Sequence, residues 1–153
     1  MTASEQLTIR LAIADLNSAF IHYLDHNQVE ALVDLFTANA RYIHGERRAE
    51  GREALRALFV ARTSAGARTT RHLFSGLQVQ IHDELNASGR SVCMSFAANR
   101  APPINFCTPH LVADFIDRYV RGTDGCWRIA QREIQRIFAA SSDVYNPAAA
   151  AKH

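Results

Sequence analysis

Leu77-Gln78-Val79-Gln80-Ile81-His82 alternates apolar and polar residues without interruption. This period of two predicts a half-buried β-strand whose apolar side chains face a core. Further strand-like segments follow at 91–98, 108–120 and 127–138, and glycine or proline turns separate them. The second half of the chain is therefore predicted to form a β-sheet.

The first half of the chain has a helical period instead. The apolar residues of its first segment recur at spacings of three and four, at Ile9, Ile13, Leu16, Phe20 and Leu24. Shorter stripes at 29–36 and 55–59 predict two more helices, and residues 40–44 are strand-like. The charged segment 45–51 is predicted to be a loop. Three helices that largely precede the strands predict an α+β fold.

Length and composition set the broad class of protein. The 153 residues suit one domain, 1–153, with a core from about residue 7 to 138 and a C-terminal tail at 139–153. The net charge of +2 does not indicate a nucleic-acid partner, and no apolar run is long enough to predict a membrane partner. The arginines are scattered, and the pair Arg47-Arg48 is interpreted as part of a solvated surface. Without a signal-peptide pattern, a reducing cytoplasm is the expected location.

The cysteines and histidines do not predict a metal or cofactor site. Cys93, Cys107 and Cys126 are widely spaced, and no CxxC pair occurs. Cys93 lies among apolar residues and is interpreted as core filler. The histidines lack HxH and HExxH spacing. No phosphate-binding or dinucleotide-binding glycine motif is present either.

Asp25 and His72 are the candidate catalytic residues, and each has a structural alternative. Asp25 closes the first helix away from the apolar stripe, where an aspartate commonly faces solvent. Alternation counted back from Val79 puts His72 on the polar face of its strand. A β-bulge at Ser75-Gly76 would reverse that direction and turn His72 toward the core.

Four segments resemble the SnoaL-like branch of the NTF2-like superfamily, at residues 31–36, 51–55, 70–73 and 124–129. That branch includes scytalone dehydratase, hexachlorocyclohexane dehydrochlorinase and bile-acid dehydratase. The resemblance covers about residues 7–138. It implies the NTF2-like cone, in which a curved antiparallel sheet wraps around three helices of the N-terminal half and leaves an internal pocket.

The resemblance also implies a proton-abstracting dyad, in which His72 is the base and Asp25 orients its ring. Histidine as a residue type suits this task because its ordinary pKa lies near neutrality. Leu24 departs from the family, because scytalone dehydratase has a tyrosine immediately before the aspartate. The leaving-group residues are therefore expected to differ, and scytalone itself is a poor candidate substrate.

Four further residues are candidates for substrate binding. Tyr42 and His44 share one strand face, so they are expected to line the interior together or not at all. His110 follows Pro109 near a strand start, where it would lie at the pocket mouth. Phe20 is one of several core aromatic residues that would form the pocket wall.

Two functions remain open from the sequence. The first is a cofactor-free lyase or isomerase, dehydratase-like, acting on a small hydrophobic ring compound. The second is a non-catalytic ligand-binding or oligomer-assembly subunit of the same fold. A hydrogen bond of ~2.6–3.2 Å between Asp25 and His72 at an open cavity would favour the enzyme. Relatives form dimers or trimers, so a homodimer or homotrimer is expected.

Overall fold

Three helices and six strands make up the fold in the computed structural model, which describes residues 1–64, 66–105 and 108–139. The elements in chain order are α1 (Ala3–Asp25), α2 (Val29–Asp34), β1 (Phe36–His44), β2 (Arg47–Glu50), α3 (Gly51–Thr63), β3 (Thr69–Ile81), β4 (Asn86–Ala98), β5 (Leu111–Arg121) and β6 (Trp127–Ala139). Cys107 and residues 140–153 of the expected tail lie outside the described residues. The α+β class predicted from the sequence is confirmed.

The long helix α1 packs against β3 and β6. A capping box fixes its start, because Glu5 N donates to the Thr2 hydroxyl at 3.2 Å and Thr2 N donates to the Glu5 carboxylate at 2.6 Å. Its predicted apolar stripe is buried against the sheet, at Ile9, Ile13, Leu16, Phe20 and Leu24. This packing sets the position of the helix end that carries Asp25. No helix within the described ranges is long and apolar enough to cross a bilayer.

The sheet is curved, unclosed and mixed. Its strand order is β2-β1-β6-β5-β4-β3, so β2 and β3 form the two edges. An antiparallel sheet was expected, but β1 runs parallel to β6, and the other neighbours are antiparallel. The alternation of side chains is the same in both kinds of strand, so sequence periodicity did not distinguish them. Register shifts in the β3–β4 and β5–β6 pairs increase the bend around the helices.

The edge strand β2 corrects the prediction of a loop at 45–51. A tight turn precedes it, in which Gly45 has a φ of 63°, a conformation that glycine adopts without strain. Arg41 of β1 and Glu50 of β2 are paired partners with an ion pair of 3.5 Å. Because β2 is short and almost wholly exposed, it lacks the apolar alternation by which a strand is recognised.

A buried polar cluster ties α1 to the last two strands. The Arg132 guanidinium donates to Asp117 at 2.7 and 2.9 Å, and it also donates to Asn17. The Tyr119 hydroxyl donates to Asp117 at 2.6 Å. All four side chains belong to residues that are at most 2% exposed. The guanidinium carbon lies 4.2 Å from the centroid of the Phe20 ring. The polar cluster therefore packs directly against an aromatic side chain of the core.

Candidate active site

Asp25 and His72 meet at the end of α1. The Nδ1 atom of His72 lies 2.6 Å from Oδ1 of Asp25, and the two side chains are 13% and 3% exposed, respectively. An ionised carboxylate only accepts hydrogen bonds, so Nδ1 carries the proton in this contact. In the neutral imidazole, the other ring nitrogen, Nε2, then holds the lone pair that a base needs.

Three donors hold the carboxylate of Asp25. Besides the imidazole, the Thr70 hydroxyl donates to Oδ1 at 2.8 Å and the backbone N–H of His72 donates to Oδ2 at 2.9 Å. Burial by itself would raise the pKa of Asp25. The hydrogen bonds and charge of His72, together with the Thr70 hydroxyl, outweigh burial and lower that pKa below its usual value. The aspartate thus stays ionised and fixed in orientation.

A β-bulge turns His72 inward. The β3–β4 register shifts between Ser75 and Gln78, and Gly76 within this interval has a φ of 66°. Ahead of the shift His72 is on the inner face. On the C-terminal side of the shift, the side chains of Leu77, Val79 and Ile81 point to the inner face. The bulge predicted at this position is confirmed, and it reconciles the polar alternation of the strand with an inward histidine.

The cavity beside the dyad has a volume of about 80 Å³. Most of its wall is apolar or aromatic, and its lining residues are Phe20, Leu24, Tyr42, His44, Arg47, Leu58, Phe59, Arg62, His72, Cys93, Ser95, Leu111, Ala113, Phe115 and Ile134. A cavity of about 150 Å³ accommodates benzene in a protein core. This cavity has about half that volume, so it encloses only part of a ring compound, and the rest of the ligand would extend through its mouth.

Three of the four predicted binding residues line this cavity, namely Phe20, Tyr42 and His44. Leu24, at the position where the resemblance departs from scytalone dehydratase, also lines it. His110 is not one of the lining residues. It precedes β5, where its backbone N–H donates to the Ser95 carbonyl at 2.7 Å. Burial lowers the pKa of His110, and the nearby Arg68 adds to this effect.

Three of the lining groups, Tyr42, His44 and Cys93, are neutral near neutral pH. Burial raises the pKa of Tyr42 to about 12, so its phenol keeps its proton. Burial and nearby arginines lower the pKa of His44 to about 4. Its Nε2 atom lies 3.4 Å from Nε of Arg136, which identifies Nε2 as an acceptor and leaves the proton on Nδ1. Burial raises the pKa of the Cys93 thiol to about 12, which disfavours a nucleophilic thiolate.

Sequence reasoning missed several residues of this site. Thr70 belongs to the segment 70–73 that carries the family resemblance, but nothing in its spacing identifies a carboxylate partner. Arg62 lies on α3 and lines the cavity, and its Nη1 donates to the Leu24 carbonyl at 3.2 Å. Arg47, interpreted as a surface residue, is exposed and lines the cavity as well. No group of three or more potential metal ligands occurs among residues 1–64, 66–105 and 108–139.

Comparisons with known proteins agree with this architecture. The model of the SnoaL-like domain family matches residues 5–133. No curated protein matches the chain. A Novosphingobium aromaticivorans structure that bears the provisional name scytalone dehydratase is 22% identical, with a TM-score of 0.82 and 94% of each chain covered.

Two other solved structures have the same fold. ActVI-ORFA from Streptomyces coelicolor is 16% identical, with a TM-score of 0.75 and coverage of 85% of this chain and 98% of that one. A Nostoc punctiforme protein of unknown function with a cystatin-like fold is 25% identical, with a TM-score of 0.71 and coverage of 87% and 92%. Identities this low establish similarity of fold, and the family match covers most of the chain.

Proposed function

The chain belongs to the SnoaL-like domain family, and we propose that it is a cofactor-free lyase or isomerase acting on a small hydrophobic ring compound. The observation that carries this proposal is the 2.6 Å contact between His72 and Asp25 beside an open, largely apolar cavity. A carboxylate held by three donors and a histidine with one free ring nitrogen form a positioned general base. A purely structural pair would not need to adjoin a cavity.

The base acts on a carbon acid in the cavity. His72 Nε2 takes a proton from carbon, and the electron pair of that C–H bond moves into a carbon–carbon double bond or an enolate. The imidazole becomes a cation, which the carboxylate of Asp25 stabilises across the Nδ1 hydrogen bond. Such a base typically contributes ~10²–10⁴-fold in rate.

Neutral donors are available for the second half of the reaction. In a dehydration the neighbouring C–O bond breaks, and the departing hydroxide needs a proton to leave as water. The Tyr42 phenol is protonated because its pKa is raised to about 12. His44 is neutral and carries its proton on Nδ1. Either group can donate a hydrogen bond to the departing hydroxyl or to an enolate oxygen, and the His72 imidazolium returns the abstracted proton, so that the hydroxyl leaves as water and His72 is neutral again.

A screen of hydroxylated ring ketones tests the proposal. Elimination of water next to the carbonyl creates a conjugated double bond, which is followed by ultraviolet absorbance. The wild type should turn over at least one member, and activity should fall on the acid side as the base becomes protonated. His72→Ala should abolish turnover while ligand binding, measured by calorimetry, persists.

Asp25→Asn should lose most of the activity as well, because it removes the charge that stabilises the imidazolium. Retained turnover in His72→Ala would refute the mechanism. Ligand binding without turnover by the wild type across the series would instead favour the non-catalytic binding subunit.

A further inference from the structure

The charged residues that line the cavity are all basic. They are the two arginines Arg47 and Arg62. Of the described residues, no aspartate or glutamate lines the cavity. The carboxylate of Asp25 lies behind the His72 ring and already accepts from three donors. The cavity therefore offers cationic groups to a ligand but no exposed anion.

The arginines approach the cavity from different elements. Arg47 opens β2 and is the paired partner of His44 across the hairpin, where its exposure puts it at the mouth. Arg62 comes from α3 and is half-buried, with its Nη1 donating to the Leu24 carbonyl at 3.2 Å and its Nη2 donating to the Thr70 hydroxyl at 3.4 Å. Arg136 of β6 places a third guanidinium beside the His44 ring. All three guanidinium groups lie near enough to His44 to contribute to the lowering of its pKa.

This charge already acts on the residues of the wall. The pKa of His44 is lowered to about 4, first by burial and then by Arg136, Arg47, His110 and Arg62. Burial is the larger cause of this lowering, and the nearby arginines add to it, so this part of the wall disfavours a further cation. An anion in the same place would experience the opposite effect and be stabilised.

The remainder of the wall accommodates an apolar ring, with Leu24, Leu58, Phe59, Phe115 and Ile134 among its residues. We propose that the ligand of this cavity is a ring compound carrying a carboxylate, with the ring against the apolar wall and the carboxylate at the mouth, between Arg47 and Arg62. Guanidinium groups suit a carboxylate because their planar N–H donors match its two oxygens.

This inference rests on the proposed function in one respect, because it takes the ring compound bound in the cavity to be the substrate of the proposed enzyme. Binding of the anion itself does not require the dyad. The arginines anchor one part of the molecule, whereas His72 faces the ring. The two ideas can therefore fail separately.

Paired ligands of equal shape test the inference in the full chain. Benzoate and benzamide differ chiefly in charge, and calorimetry at low ionic strength measures the dissociation constant of each. Benzoate should bind about tenfold more tightly or better, as expected for hydrogen bonds to a charged group. The advantage should shrink as salt is added, because the mouth is exposed. Acetate, which lacks the ring, should bind more weakly than benzoate.

Two neighbouring arginines of β2 supply a matched pair of variants. Arg47→Gln should reduce the benzoate preference several-fold. Arg48→Gln removes the same charge from the adjacent residue, whose side chain points to the other face of the strand, and should leave the preference intact. His72→Ala should also keep the preference, which separates this test from that of the catalytic proposal.

Equal affinities for benzoate and benzamide, including no binding of either, would overturn the inference. Equal effects of Arg47→Gln and Arg48→Gln would overturn it too.

Discussion

His72 contacts both oxygens of Asp25, with its ring Nδ1 2.6 Å from Oδ1 and its backbone N–H donating to Oδ2 at 2.9 Å. The backbone contact fixes the carboxylate relative to the strand, and the ring contact fixes the imidazole relative to the carboxylate. Rotation of either side chain breaks at least one of these hydrogen bonds. The dyad is therefore preorganised before any ligand enters, which is the condition for efficient proton transfer.

The Thr70 hydroxyl is predicted to act as a positioning group for Asp25. Thr70→Val removes the 2.8 Å hydrogen bond to Oδ1, which should raise the pKa of Asp25 and loosen its orientation. We expect kcat to fall about tenfold with little change in KM, since a hydrogen bond to a charged group is worth roughly 1.5–3 kcal/mol. Thr70→Ser keeps the hydroxyl and should recover most of kcat. Equal kcat values for the valine and serine variants would contradict this role.

His44 should make stability depend on pH. Its pKa is about 4 in the folded protein against an ordinary value of 6.5, so between these values the unfolded chain binds a proton that the folded protein does not. The free energy of unfolding should therefore decrease as pH falls from about 6.5 to about 4. Each pKa unit corresponds to about 1.4 kcal/mol, which limits the loss to about 3 kcal/mol. Urea unfolding of wild type and His44→Gln over this range checks the slope, and identical slopes would refute it.

Loss of the Arg132 side chain should be strongly destabilising. Arg132→Met leaves the fully buried carboxylate of Asp117 without its cation, at an expected cost of about 3–5 kcal/mol. Arg128→Met is the matched control on the same strand, because its Asp124 partner is half exposed and such a pair is worth roughly 0–1 kcal/mol. Chemical denaturation measures both. Equal losses of unfolding free energy in the two variants would contradict the expectation that the buried ion pair contributes more than the exposed one.

The outer face of the sheet is expected to mediate self-association. Leu73, Met94, Val112 and Phe138 are successive register partners across β3, β4, β5 and β6, and Leu73 and Phe138 are 59% and 70% exposed. Such an apolar row favours contact with a second copy. Light scattering should give a dimer or trimer at micromolar concentration, and Leu73→Lys should shift it toward monomer. Val60→Lys is the control, because Val60 is an exposed apolar residue on α3, away from this row. A monomeric wild type would contradict the expectation.

Periodicity predicted the helices, most strands and the class of fold, because burial of one face imposes regular spacing. The stripe from Ile9 to Leu24 is buried as expected. The parallel pairing of β1 with β6 was not predictable in this way, since strand direction leaves no trace in alternation. The exposed strand β2 was missed for a related reason, because its pairing depends on backbone hydrogen bonds rather than on apolar residues.

The site was predictable only where a local signal existed. The glycine at position 76 suggested the bulge that directs His72 inward, and the register shift is found there. Arg47 and Arg62 gave no such signal, because they reach the cavity from separate elements, and an arginine on an exposed strand or helix ordinarily faces solvent. Their convergence is a property of the tertiary structure.

Hydrogen–deuterium exchange tests most directly whether His72 and Asp25 form a base for carbon acids. β-Tetralone carries acidic C–H groups next to its carbonyl, and proton NMR in deuterium oxide follows their loss at neutral pH without requiring a leaving group. The wild type should accelerate exchange ~10²–10⁴-fold over His72→Ala, and Asp25→Asn should retain little of that acceleration. Equal exchange rates for the wild type and His72→Ala would contradict the account.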